Sequence, residues 1–379
     1  MQKQKFGITL FLLALSLTPI AAQKDSVSLL NRVIEKFTHD NRPPDKPRFL
    51  IYPTLAYSPE TNLEIGAAAA LLFHAKNDYL HNRLSEITAF GFVTLRSQYG
   101  LWLDHAVYTD QDKWLLLGRL RFQRFPLLYY GIGPDASAEN PDVADGFGIQ
   151  IRERAFRSVK KNLFAGIEVS YHSLTNVTFE NEVNVRPLPL GHEGSANIGL
   201  GVGVAYDSRP NMLNTRDGWF AELAWLHHNN LWNSDFEFDN INADVRWYKK
   251  INKREVFAWQ FFGSITVGEV PFNQLSLLGG EMMMRGYYTG RYRDKHYYAT
   301  QAEYRFLPLP FSKRIGAAAF AGFGTVAPEL QALRTDQLLW SGGVGLRYLM
   351  FPKKDIFLRF DVGFTREGSG FYIFTGEAF

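Results

Sequence analysis

The sequence predicts an all-β fold, a transmembrane antiparallel β-barrel of about sixteen strands with a short helix near its N-terminus. Apolar and polar residues alternate along much of the chain after residue 48, which is the period of a strand with two unlike faces. One face is rich in aromatic residues, whereas the other carries Arg, Asp, Asn, Gln, Tyr and Gly. Hydrophobic residues make up 46% of the chain, yet the mean hydropathy is only −0.18. Beyond the first 22 residues the apolar residues are therefore dispersed rather than gathered into long helical runs.

Residues 1–22 are predicted to be a secretory signal peptide. Lys3 and Lys5 give a basic start, and the apolar run "FGITLFLLALSLTPIAA" follows, with Ala22 as a cleavage point before Gln23. The alternative is an N-terminal membrane anchor, but this run of 17 residues is at the short end for a membrane span. We therefore expect the mature chain to leave the cytoplasm.

Residues 23–47 predict a short amphipathic helix followed by a proline-rich linker. Val27, Leu30, Ile34 and Phe37 share one helical face. The stretch "DNRPPDKPR" then ends any helix, because proline lacks an amide donor and restricts the residue before it. We expect the helix to cover its apolar face against the membrane interface, the barrel or a separate partner.

Residues 48–379 contain the predicted barrel. In the segment 239–247, for example, Ile241, Val245 and Trp247 alternate with polar residues. A soluble β-sandwich also alternates, but its polar face would meet bulk water, where Lys and Glu dominate. A membrane barrel instead needs an outer apolar band with aromatic girdles around a polar lumen. Alternation predicts sixteen strands, near 49–57, 61–75, 83–95, 98–108, 113–124, 146–157, 162–173, 194–206, 219–228, 236–249, 254–266, 297–307, 314–323, 338–350, 355–365 and 370–379.

The lengths of the connections support this count. Connections after odd-numbered strands include the long segments 125–145, 174–193, 267–296 and 324–337. Connections after even-numbered strands are mostly short, and 207–218 is the exception. Bacterial outer-membrane barrels have an even number of strands, short periplasmic turns and longer extracellular loops.

One long connection contains the unusual stretch "LLGGEMMMRGYYTGRYRDKHYY", which is too irregular for a strand and too rich in glycine for a helix. Its Arg285, Gly286 and Tyr287, preceded by Gly279 and Gly280, resemble the Arg-Gly-aromatic loop of the Omp85 superfamily. The loop lies before the twelfth predicted strand, as it does in that family. The resemblance covers roughly residues 48 to 379.

This resemblance implies that Arg285 folds back into the lumen and pairs with acidic residues on the next two strands. The first of these residues corresponds to Glu303, which the alternation places on the lumen face. The second position is occupied by Gly322, so one expected carboxylate is missing. The sequence therefore predicts a loop with fewer anchors than in the family.

Two further segments carry the resemblance. The stretch "AYDSRPNMLNTRDGWF" is similar to the family's Asp-x-Arg periplasmic turn, here Asp207 and Arg209, and ends in Gly218 at the start of the next strand. The chain ends in an aromatic residue, Phe379, as outer-membrane barrels commonly do. The resemblance implies that this residue is a C-terminal signal for the assembly machinery.

The resemblance also implies a function: helping to insert or translocate proteins or lipids at the outer membrane of a Gram-negative bacterium. The expected partners are outer-membrane lipid, an unfolded outer-membrane protein or lipid cargo, and a periplasmic protein. That protein would replace the POTRA domains, for which about 25 residues between signal peptide and barrel leave no room. The alternatives are a passive structural barrel or narrow pore and, at lower weight, an outer-membrane enzyme.

The composition argues against other classes of function. The chain has no Cys, which excludes disulfides and thiol catalysis, and its net charge of +3 is too small to suggest nucleic-acid binding. Its nine His residues show no metal-ligand spacing, and no convincing Ser/His/acid set is present. We therefore expect no enzyme, no cofactor and no metal.

Overall fold

The structure is a computed structural model, and it describes residues 46–180, 186–210, 214–332, 337–351 and 355–379. The signal peptide predicted over 1–22 and the helix predicted near 26–38 lie outside the described residues. Across the part of the chain that is described, no helix has the length and apolar character needed to cross a bilayer.

The described residues contain nineteen β-strands. These are β1 (Arg48–Ser58), β2 (Asn62–His74), β3 (Leu84–Thr94), β4 (Tyr99–Tyr108), β5 (Trp114–Arg124), β6 (Leu127–Tyr129), β7 (Asp142–Lys160), β8 (Leu163–Glu180), β9 (Ser195–Asp207), β10 (Gly218–His228), β11 (Phe238–Lys250), β12 (Glu255–Gly268), β13 (Ser276–Leu278), β14 (Tyr292–Asp294), β15 (His296–Phe306), β16 (Ile315–Ala327), β17 (Leu339–Phe351), β18 (Ile356–Thr365) and β19 (Gly368–Thr375).

Sixteen of these strands form one closed antiparallel barrel. Strands β1–β5, β7–β12 and β15–β19 pair with their neighbours in chain order, and β1 pairs with β19 to close the ring. The short β6 pairs with β7 beside β5, while β13 and β14 form a separate two-stranded ribbon in the connection between β12 and β15. The prediction of a sixteen-stranded transmembrane barrel is confirmed.

Most strand bounds lie within a few residues of those predicted, and three strands differ for identifiable reasons. Strands β7 and β8 are longer than predicted and pair from Val143–Glu180 to Lys160–Leu163. Their outer ends lie beyond the region of clear alternation, so the sequence pattern could not show the extension. The last strand ends at Thr375 rather than at residue 379, because Gly376 has a φ of +91° and turns the chain away.

The two faces of the barrel have the expected chemistry. Along β10 and β11, Glu222 pairs with Asp244 on the lumen side, and Leu223 pairs with Ala243 on the outside. We call the end where β1 begins and β19 finishes the terminal end, and the opposite end the loop end. Exposed aromatic residues ring both ends of the outer surface, with Trp114, Trp219 and Tyr348 near the terminal end and Trp225, Trp340 and Phe364 near the loop end.

Packed side chains occupy the lumen from both ends. From the loop end, the connection between β12 and β15 contributes Leu278, Met284, Tyr287 and Tyr292 to a buried cluster that includes Tyr297. From the terminal end, the last residues of the chain enter and pack against β11 and β12, in a cluster of Tyr248, Ala258, Ala378 and Phe379.

We expect the protein to show heat-modifiable migration on a gel. A closed barrel satisfies its strand hydrogen bonds internally, so it should stay folded in detergent until heating supplies the energy to unfold it. The measurement compares unheated and boiled samples of membrane extract by electrophoresis. Recovery of the protein in water-soluble form from the periplasm would contradict the fold.

Candidate functional site

The central residue of the site is Arg285, at the tip of the loop that folds into the lumen. Its side chain is fully buried. The residues on either side, Met284 and Gly286, have φ angles of +56° and +110°, which reverse the chain direction around the arginine. A Cβ on Gly286 would lie 3.0 Å from the carbonyl carbon of Gly363. The glycine is therefore needed both for its conformation and for the close approach of the loop to β18.

Two carboxylates hold the Arg285 guanidinium. Its Nη2 lies 2.5 Å from Oε2 of Glu303, the partner that the family resemblance implied, and its Nη1 lies 2.5 Å from Oδ2 of Asp361. The guanidinium carbon also lies 3.4 Å from the centre of the Phe320 ring, a cation–π contact. The arginine is thus bound on two edges and one face.

The predicted shortage of anchors is compensated from another strand. Gly322 on β16 indeed supplies no carboxylate, but Asp361 on β18 supplies the second one. Arg359 and Asp361 alternate with the apolar residues of the segment 356–364, so the sequence pattern alone puts both on the lumen face. It could not show that this face meets the loop, because alternation identifies the side of a strand and not its partners across the lumen.

Three further arginines join the same carboxylates. Oε1 of Glu303 accepts hydrogen bonds from Nε of Arg305 at 2.9 Å and from Nη2 of Arg347 at 3.1 Å. Oδ1 of Asp361 accepts from Nη1 of Arg347 at 2.6 Å, and Nη1 of Arg359 lies 3.4 Å from its Oδ2. All of these side chains are nearly or fully buried, so each charge depends on the others for its compensation. We call this set of residues, together with Arg285, the arginine–carboxylate cluster.

The C-terminal segment joins the cluster from the terminal end. Oε2 of Glu377 accepts from Nε of Arg347 at 2.9 Å, and Nη2 of Arg305 donates to the main-chain oxygen of Phe379 at 3.0 Å. The Phe379 ring lies under the Arg305 guanidinium and is 8% exposed. The last residue thus lies in the lumen and not on the outer face. Its role as an assembly signal stays a prediction, since such a signal would be recognised before folding is complete.

Main-chain contacts fix the loop as well. The amide of Gly286 donates to the hydroxyl of Tyr372 at 2.9 Å, and the carbonyl of Arg285 accepts from the Ser341 hydroxyl. Tyr287 packs edge-on against Tyr292 at a centroid distance of 5.9 Å, and burial raises the pKa of Tyr287 to about 12. The loop is therefore anchored to β17 and β19 in addition to the cluster.

The two other predicted glycines lie at the base of this loop. Gly279 and Gly280 have φ angles of +111° and +115°, which side chains rarely adopt. The amide of Gly280 donates to the carbonyl of Tyr287 at 3.1 Å, which brings the two parts of the predicted motif together.

The predicted periplasmic turn is a separate structure at the terminal end. Oδ1 of Asp207 accepts from the amide of Arg209 at 3.0 Å, and its Oδ2 accepts from Nη2 of the same arginine at 2.7 Å. The hydroxyl of Tyr108 donates to the same carboxylate at 2.9 Å. Gly218 has a φ of +104° where β10 begins. The turn motif thus caps the end of β9 and starts β10.

The sequence did not show that this turn also contacts the turn between β17 and β18. Nε and Nη2 of Arg216 lie 2.6 and 2.7 Å from the two oxygens of Asp355, which precedes β18. Nη1 of Arg216 also donates to the carbonyl of Leu307 at 3.2 Å. The turn therefore ties together three hairpins at the terminal end.

The contact that closes the barrel is short. Strands β1 and β19 have one register pair, Tyr57 with Ile373, whereas β1 and β2 have eleven pairs and β18 and β19 have eight. β19 ends at Thr375, and β1 contains Pro53, a residue type confined to edge strands and bulges because it cannot donate to a ladder. We call the contact between β1 and β19 the seam.

These observations limit the chemistry of the site. Among the described residues, no group of three or more His, Asp and Glu side chains could hold a metal ion. In the arginine–carboxylate cluster, opposite charges neutralise one another around the loop that carries Arg285. This geometry holds the loop inside the lumen.

We predict strong coupling between Arg285 and Glu303. Removal of one partner from a buried pair leaves an uncompensated charge, so Arg285→Ala should destabilise the barrel by about 3 kcal/mol. Glu303→Ala should cost more, because it also removes a partner of Arg305 and Arg347. The double variant should cost clearly less than the sum of the two, as measured by thermal unfolding of the purified barrel in detergent.

Arg285→Lys is the matched control. An ammonium keeps the charge but cannot reach two carboxylates with a forked geometry, so this variant should fall between wild type and Arg285→Ala. Additive effects of the two alanine variants would argue against the pair.

Comparisons with known proteins agree with this architecture. Residues 98–379 match the model of the Omp85 superfamily domain. BamA from Haemophilus ducreyi lacking POTRA domains 1–3 has a similar structure, with a TM-score of 0.55 and 14% identity over 93% of this chain and 78% of that one. CdiB from Acinetobacter baumannii gives a TM-score of 0.54 and 10% identity over 86% of this chain and 59% of that chain.

CdiB from Escherichia coli gives a TM-score of 0.53 and 7% identity over 90% of this chain and 69% of that chain. At these identities the structures support the fold alone. A comparison with curated protein sequences gave no match. The family model, however, covers most of the chain and includes the inward loop, the arginine–carboxylate cluster and the last strand. The chain therefore belongs to the Omp85 superfamily, as a β-barrel of the Gram-negative outer membrane.

Proposed function

We propose that this barrel assists the insertion or translocation of polypeptides at the outer membrane, with the seam between β1 and β19 as the site where a client strand pairs. The observation that carries the proposal is the single register pair at the seam. Every other pair of neighbouring barrel strands shares eight or more register pairs. The seam is therefore the weakest contact around the ring.

The exposed strand edge suits an extended polypeptide. β1 pairs with β2 along its whole length but has a single register pair with β19, at Tyr57. A strand edge with so little ladder pairing can align with an incoming strand. In lipid each unsatisfied group costs several kcal/mol, so a client strand that pairs here would be strongly favoured.

This edge favours protein clients over lipid cargo, because lipids cannot satisfy a row of alternating main-chain donors and acceptors. The loop anchored by Arg285 supports the same interpretation, because its side chains fill the lumen beside β15–β18. A periplasmic partner protein that delivers the client also belongs to this proposal. The apolar stripe predicted near residues 26–38 would give that partner a surface to bind.

A disulfide across the seam tests the proposal. The chain has no cysteine, and Tyr57 and Ile373 are register partners, so Tyr57→Cys with Ile373→Cys should form a disulfide on oxidation. In proteoliposomes, the oxidised variant should insert an unfolded outer-membrane barrel no faster than liposomes without the protein. A reducing agent should restore the rate.

The matched control places the same bond on the other side of β1. Tyr57→Cys with Leu63→Cys joins the register partners of β1 and β2 and leaves the seam free. This variant should insert the client at the wild-type rate under oxidation. If the variant locked at the seam also does so, the seam is not the route.

A further inference from the structure

Two ionisable side chains face outward from the barrel wall, where lipid would be expected. His105 on β4 and Glu153 on β7 meet across β5, with 3.0 Å between Nε2 and Oε2. Their side chains are 26% and 42% exposed. Both lie on the outer face, since Asp104 and Arg152, which precede them in the chain, pair in register with Arg119 on the polar lumen face.

The pair lies at the middle of the apolar band. It closes over Gly118 of β5, which is halfway between the outward residues Trp114 and Phe122 of the same strand. Four residues of a strand span about 13 Å, so the pair lies far from both ends of the band. The aromatic girdles mark the two membrane interfaces, and the pair is therefore at a depth that holds only hydrocarbon.

The surroundings of the pair are apolar. The register and the alternation place aliphatic side chains around it on the same outer face, namely Ile87, Leu103, Leu116, Leu120, Ile151 and Val169. Ionisable side chains within a membrane are costly and commonly mark a functional site. An apolar residue at either position would avoid that cost, so a structural role within one chain does not account for the pair.

The pair also has unused hydrogen-bonding capacity. Glu153 uses Oε2 toward His105, and no hydrogen bond within the described residues uses its Oε1. Nδ1 of His105 also has no partner, but this atom is enclosed by the chain itself and cannot be reached from outside. Since hydrocarbon offers neither donors nor acceptors, a second polar group at the same depth would satisfy the open Oε1 of Glu153.

The local surface permits a close approach. A Cβ on Gly118 would lie 2.0 Å from Nε2 of His105 and 2.6 Å from Oε1 of Glu153, so only glycine lets the two side chains close over β5. The outward neighbours Ala155 and Ala89 are small as well. In membranes, small residues at an interface allow two backbones to approach and pack closely.

We propose that the outer face of β4, β5 and β7 is the interface of a symmetric dimer of this chain. A two-fold axis along the membrane normal places each residue of one copy at the same depth as in the other. It also reverses the order of the two side chains, so His105 of each copy faces Glu153 of the other. The unused Oε1 of each Glu153 then lies opposite Nε2 of the second copy's His105, whose hydrogen is shared between the carboxylates of the two copies.

A second copy fits this surface better than a lipid does. The polar groups of a phospholipid lie at the level of the aromatic girdles, whereas the pair lies midway between them. A second copy has a donor and an acceptor at the required depth by symmetry. The pair is moreover complementary to itself, which is the property that a two-fold interface demands.

Single cysteines in the otherwise cysteine-free chain test the dimer. Leu116→Cys and Leu120→Cys flank Gly118 on the outer face, and Val344→Cys, 58% exposed on β17, is the control on the far side of the ring. On oxidation in native membranes, at least one of the two β5 variants should form a disulfide-linked dimer of this chain. The Val344→Cys variant should remain a monomer.

A second variant separates the role of the pair from simple proximity. His105→Leu with Glu153→Leu, combined with the cross-linking cysteine, should reduce the yield of dimer several-fold while heat-modifiable migration shows an intact barrel. An unchanged yield in this variant would overturn the proposal. No cross-link above the Val344→Cys level, or a cross-link to a different protein, would overturn it as well.

Discussion

The arrangement of the lumen depends on the electrostatic requirement of one buried guanidinium. Arg285 is cut off from water, and its charge is tolerable only because Glu303 and Asp361 lie against it. Those carboxylates in turn need Arg305 and Arg347, since two acidic groups cannot share one arginine without residual repulsion. The cluster therefore behaves as a unit in which the position of each side chain is set by the others.

The cluster joins segments that are distant in sequence, namely the inward loop and the C-terminal segment. Arg347 contacts Glu303 and Asp361, which hold the inward loop, and it also contacts Glu377 of the C-terminal segment. A displacement of the inward loop would therefore change the contacts of Arg347 with Glu377 and so shift the last residues of the chain. Those residues begin where β19 leaves the barrel wall. The inward loop and the strand that forms one side of the seam are therefore held by the same set of interactions.

Sequence patterns predicted the wall of the barrel better than its interior. The two-residue period reports which face of a strand meets lipid, and this was enough to predict sixteen strands and the lumen side of Glu303. Which lumen residues meet across the barrel depends on the tilt and register of all the strands. For this reason Asp361 and Glu377 were not predicted as members of the cluster. The motif that identified Arg285 was local, and in the structure that residue lies against Glu303.

The inward turn at Gly376 gives the seam a direction. The one register pair of the seam joins Tyr57, near the loop end of β1, to Ile373, near the terminal end of β19, and the rings of Tyr57 and Phe371 also meet there at 5.7 Å. Since β19 leaves the wall at Gly376, it has no residues in the wall beside the first part of β1. The two closing strands are thus staggered along the barrel axis, and the ring has its least main-chain pairing on the side where β1 begins.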